Sequence, residues 1–85
     1  MAPLTSNRIN VLNAIIKHTR ERGCCPVLGQ IRTVSGLPHG TVTRCLMHLR
    51  ADGYVRQDER FAAYVPVRTP EGHKLVITIT ETFDT

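Results

Sequence analysis

Apolar and polar positions change their period once along this chain, close to Gly53. Before it, apolar residues recur at steps of three and four, the helical spacing; after it they alternate, the strand spacing. The clearest helical stripe is Val42, Cys45, Leu46 and Leu49, at i, i+3, i+4 and i+7. Ile9, Leu12, Ile16 and Thr19, flanked by Val11 and Ile15, make a second stripe, and Leu28, Ile31 and Val34 a shorter third. The pattern predicts a helix running to about Arg22, a two-turn helix over 28–35, and a third helix over 39–52.

Residues with special backbone or capping chemistry sit where these helices should begin and end. Thr5 or Ser6 can accept the free N–H groups of the first helix, with Leu4 as the preceding apolar staple. Arg20 and Arg22 suit the negative end of its dipole, and Gly23 closes it. Pro26 drives Cys25 into an extended conformation, so 24–27 is a short strand or a linker. Gly36 supplies the positive φ of a tight corner, Leu37 plugs the core beneath it, and Pro38 starts the next helix. Two helices joined by such a Gly-containing turn make a helix-turn-helix.

Three strand candidates follow: 54–57, 61–67 and 74–80, the last the richest in β-branched residues. Thr69-Pro70-Glu71-Gly72 has Pro at i+1 and Gly at i+3, so it reads as the turn of a hairpin. A rival reading starts a helix there with Thr69 as cap; the run Val76-Ile77-Thr78-Ile79-Thr80 favours the hairpin. Pro66 belongs at an edge or bulge, because it cannot donate to a ladder. Residues 1–3 and 81–85 are expected to be flexible, with Phe83 packing back or meeting a partner. The whole chain, 1–85, reads as one domain of α+β class: a winged helix-turn-helix of three helices plus a C-terminal β-hairpin wing.

The third helix carries the chemistry. A surface helix usually fills its outer face with Glu/Lys pairs. Here Gly40, Thr43, Arg44, Met47 and His48 lie opposite the apolar stripe, with Thr41 and Arg50 at the margins and no carboxylate before Asp52. Such a face enters a DNA major groove without repelling phosphate, and its donors reach base edges. His39, Gly40, Thr41, Thr43, Arg44, Met47, His48 and Arg50 are therefore the DNA-binding candidates of this helix. Arg32 faces outward from the preceding helix towards phosphate, or towards solvent. Arg68 and Lys74 flank the hairpin tip, placed for phosphate or a narrow minor groove.

Charge sharpens this picture. The net charge is +4, and residues 1–53 hold seven Lys/Arg against Glu21 and Asp52, whereas 54–85 hold four against five carboxylates. The positive excess sits in the helical half, where a polyanion would be met. At 85 residues with 41% hydrophobic content, one compact core is expected and no deep catalytic cleft. No apolar run approaches the ~18 residues of a membrane span, and the first residues lack signal-peptide character, so a soluble cytoplasmic protein is expected. Three cysteines, two of them adjacent, read as reduced thiols. Cys45 and His48 have a ligand-like spacing, but one falls on the core stripe and the other points out, so no metal and no other cofactor is expected. No small-molecule ligand is evident.

Leu4-Thr5, the step Gly23-Cys24-Cys25-Pro26, then Ile31, Val42, Leu46, Leu49 and Gly53-Tyr54-Val55 resemble the N-terminal DNA-binding domain of LexA-type repressors over roughly residues 4–57. Thr41-Val42-Thr43-Arg44-x-Leu46-x-x-Leu49-x-x-x-Gly53-Tyr54-Val55 is also similar to a pattern shared by bacterial winged-helix regulators. The resemblance implies a transcriptional regulator with its third helix in the major groove and its wing on the backbone or minor groove. Pro38 and His39 depart from it, standing where relatives place a Ser-type cap. Gly40 departs too, at a cost of about 1 kcal/mol in helix propensity. The 85 residues hold no counterpart of that family's self-cleaving, dimerising domain, and the hairpin over 61–80 exceeds its short wing.

Two functions remain in view. One is a small bacterial or phage regulator binding double-stranded DNA by sequence, as a homodimer. The other is a winged-helix protein-interaction module, or a phage-encoded inhibitor acting in a larger complex, which an exposed apolar patch at Met47, Phe61 and Tyr64 would favour. No Ser/His/Asp triad, carboxylate pair or Gly-rich phosphate loop is present in the pattern, and no enzyme is expected.

Overall fold

The computed structural model describes residues 4–75, in the order α1 (Ser6–Arg22), α2 (Leu28–Ser35), α3 (His39–Ala51), β1 (Val55–Asp58) and β2 (Ala63–Pro66). The expected tail at 1–3, the strand beyond residue 75 and Phe83 lie outside the described residues.

Thr5 is the N-cap of α1: its Oγ1 accepts the amide of Arg8 at 3.3 Å, and Gly23 closes the helix with Arg20 and Arg22 in the last turn. α1 packs on both other helices. Its buried face is centred on Val11 and Ile15, with Leu12, Ile16 and Thr19 beside them. Ile9, expected in the stripe, is 36% exposed. At 100° per residue it lies about 120° around the helix from Ile15, at the border of the buried face.

α2 spans the predicted residues but buries only Ile31; Leu28 is half-buried and Val34 is 45% exposed, against expectation. Steps of three residues drift around the helix, so Leu28 and Val34 lie about 120° apart and flank Ile31, which alone faces fully inward. Gly36, at φ 72°, ends α2 in the left-handed conformation, and its amide donates to the Arg32 carbonyl. Leu37 then packs against the core, and Pro38 stands at the N-cap of α3. The stripe Val42, Cys45, Leu46, Leu49 is buried in full and shares one core with Leu12, Ile16 and Ile31.

β1 and β2 pair antiparallel, Val55 opposite Pro66 and Asp58 opposite Ala63. Val67 donates to Tyr54 at 2.7 Å, so the alternation of the ladder turns the nitrogen of Pro66 away from β1. Proline therefore fits the end of β2 without a lost bond. Residues 24–27 form a linker rather than a strand, although the Pro26 carbonyl accepts the amide of Tyr64 at 2.8 Å.

A second, smaller hairpin follows. Arg68 and Lys74 form an antiparallel bridge, flanked by bonds from Thr69 to His73 and from Leu75 to Val67. Between them the amide of Gly72 (φ 90°) donates to Thr69 at 2.8 Å, closing a turn whose left-handed position only glycine adopts freely. The hairpin reading of 69–72 thus holds over the helical one. Three helices followed by an antiparallel hairpin make the chain a winged helix-turn-helix.

Candidate nucleic-acid interface

Every α3 residue singled out by its pattern reaches the surface: His39, Gly40, Thr43, Arg44, Met47, His48 and Arg50 are exposed and Thr41 is half-buried. Met47 is the most open large apolar residue described, at 65%. The helix carries no acidic residue in its first turn, and Asp52 stands only at its C-cap. Pro38 offers no capping side chain, so the first N–H groups of α3 meet no side-chain acceptor from their N-cap. A Cβ on Gly40 would meet nothing within 4 Å. The absent side chain therefore leaves open space at the start of the helix.

Thr43 has a more restricted chemistry than its sequence suggests. Its hydroxyl donates to the His39 carbonyl at 2.9 Å, within its own helix. The proton is thus engaged, and Thr43 presents an acceptor oxygen and a methyl group outward. Arg44 can donate from a planar fork, so neighbouring positions of one face offer opposite hydrogen-bonding roles.

The other candidates lie apart from α3. Arg32 is exposed in the last turn of α2, beside a shallow depression lined by Gly29, Thr33, Gly36 and Leu37. Arg68 and Lys74 are exposed and directly opposite across their bridge, a placement in which like charges repel. One nitrogen of the Arg68 guanidinium, Nη1, donates to the Gly72 carbonyl at 3.1 Å and so holds the hairpin tip.

Two groups of residues went unnoticed in the pattern. Arg8, with Thr5 and Asn7, lines a groove against Thr41, Arg44, Cys45 and His48 of α3. Its signal was present: an Arg in the first turn of a helix opposes the dipole, and α1 has no acidic residue there. Arg60 lies at the tip between β1 and β2, its guanidinium 5.2 Å from the Phe61 ring centre. The Asp58 carboxylate accepts its amide at 2.9 Å. Ala62 completes that tip at φ 54°, in the left-handed region.

Among the described residues, no three His, Cys, Asp or Glu side chains gather where they would hold a metal. No helix among them is long and apolar enough to cross a membrane.

The model of the IclR helix-turn-helix domain matches residues 8–59, from the first turn of α1 to the end of β1. The chain belongs to the IclR helix-turn-helix family. It is thus a helix-turn-helix DNA-binding domain of a regulator family. The match supports the winged helix-turn-helix that the LexA-type resemblance implies, while naming the IclR domain rather than the LexA one. It takes in all of α3 and Arg32, and stops short of Arg68 and Lys74. No curated protein and no solved structure matched the chain.

Proposed function

We propose that this IclR-type domain is a bacterial or phage transcriptional regulator that recognises double-stranded DNA by sequence. α3 enters the major groove, and the hairpins behind it meet the backbone or the minor groove. The observation that carries this reading is the outer face of α3, where Gly40, Thr43, Arg44, Met47 and His48 are exposed with no carboxylate among them. Arg44 is the base-reading residue of that face, because a forked guanidinium matches guanine O6 and N7. Thr41, Thr43, His39, His48 and Arg50 surround it, while Arg32, Arg68 and Lys74 take phosphates.

A single small module buries limited DNA surface, and pairing two half-sites multiplies its discrimination. The reading therefore includes a homodimer on a pseudo-palindromic site in the cytoplasm. Enrichment of bound duplexes from a random-sequence pool tests it: a shared motif with two-fold symmetry is expected. Sedimentation showing one protomer per enriched duplex at saturation would remove the dimer.

A second reading rests on Met47 and Phe61, 65% and 39% exposed. Exposed apolar side chains on α3 and at the β1–β2 tip also suit a winged helix that binds another protein or acts as an inhibitor within a complex. Failure of the pool to yield any enriched duplex, with the chain folded, would favour it.

A further inference from the structure

We infer that the groove between the start of α1 and α3 is a docking site for one phosphate of the DNA backbone, with Arg8 as its anchoring residue. The inference rests on the DNA-binding reading above and extends it to an element, α1, that the recognition face does not include.

The groove holds about 190 Å³ and is walled by Thr5, Asn7 and Arg8 on one side and Thr41, Arg44 and His48 on the other. Cys45, itself buried, also lines it. Arg8 of α1 and Arg44 of α3 both line this groove, and the positive charge of each acts on the Cys45 thiol between them in the lining. No hydrogen-bond or ion-pair partner meets either guanidinium among the described residues, and no carboxylate lines the groove. A groove bordered by two cations and no carboxylate attracts an anion, which Arg8 holds while the fork of Arg44 is left for a base edge.

The shape and the donor set select the kind of anion. Hydroxyls of Thr5 and Thr41, the Asn7 amide and the planar fork of Arg8 offer several donors to a tetrahedral oxyanion. The groove lies along the margin of α3 that carries Thr41, next to Arg44 and His48 of the face assigned to base edges. The strand backbone that borders an occupied major groove runs along such a margin. Arg8 then fixes how deep and in what register α3 sits, without reading a base itself.

The test compares the full chain with its Arg8→Ala and Arg8→Lys variants on a mixed-sequence duplex over a salt titration. Arg8→Ala is expected to lower the slope of log K against log salt by about one. It should leave the motif enriched from a random pool unchanged. Arg8→Lys should restore most of the slope, since it returns the charge. Thermal unfolding of each variant shows that the fold is kept; if Arg8→Ala unfolds, Arg8→Gln takes its place in the slope comparison, with the same loss of about one expected.

An unchanged slope in a folded Arg8→Ala variant, or an altered base preference, would overturn the phosphate assignment. Absence of duplex binding by the unsubstituted chain would instead overturn the DNA-binding reading itself. Inorganic phosphate, titrated at constant ionic strength, separates the two sources of the anion. Competition no stronger than that of chloride supports the DNA backbone. Saturable competition lost in Arg8→Ala would make the groove a site for free phosphate and overturn the inference.

Discussion

The amide of Tyr64 in β2 donates to the carbonyl of Pro26 over 2.8 Å, tying the wing to the linker between α1 and α2. Pro26 is fully buried, and Tyr64 packs on the core cluster. One backbone bond therefore joins the hairpin to the helical layer.

The core that supports α3 is sensitive to truncation. Leu46 is buried against residues of α1 and α2. Leu46→Ala removes its methyl groups and leaves a cavity, at a cost of about 2–5 kcal/mol. Urea denaturation should show the midpoint fall accordingly. An unmoved midpoint would refute the buried stripe.

Gly36 and Ala62 give opposite expectations in the same backbone region. Gly36 has φ 72° and open space where a Cβ would stand, so Gly36→Ala meets no clash and carries only the left-handed penalty. About 1 kcal/mol of lost stability is expected. Ala62 already bears that penalty at φ 54°. Ala62→Gly relieves it but frees the unfolded chain, for a net gain below about 1 kcal/mol. Equal signs for the two changes would contradict the turn geometry.

Base reading and phosphate contact should separate on DNA. Arg44→Ala is expected to cost about 1–3 kcal/mol on an enriched site and to relax preference at one base pair. Arg68→Ala and Lys74→Ala should weaken all sequences alike and each lower the salt slope by about one. Loss of base preference from the hairpin variants, with only uniform weakening from Arg44→Ala, would reverse the assignment.

Alkaline pH should loosen the fold through its thiols. Burial pushes the Cys25 thiol up, against a lowering hydrogen bond with Thr19, and burial likewise pushes up Cys45, against Arg8 and Arg44. Unfolded thiols ionise at about 8.5 while the folded ones keep their protons. The folded state then binds more protons, so this contribution is complete below about 8.5 and fades as pH rises through the folded values. Urea midpoints should fall over that window, and less steeply in Cys25→Ala. A flat profile would show that neither thiol is held neutral by the fold.

The sequence by itself determined the three helices, their Gly and Pro boundaries, and the outward face of α3. Those features are local: a helical period, a left-handed Gly36 and a cap at Thr5 act within a few residues of themselves. Which flank of α1 lies inward was decided by tertiary packing, because Ile9 and Ile15 both suit a helical stripe and only the elements packed on α1 leave Ile9 36% exposed and Ile15 fully buried. Val34 is exposed for a related reason: it lies about 120° around α2 from Leu28, and only the packing decides which of the two flanks is covered. Strand pairing is also non-local, and only the fold set Val55 opposite Pro66. Arg8 lies 36 residues from Arg44 in the chain, yet both line one groove. No spacing rule links them, because their meeting depends on how α1 crosses α3.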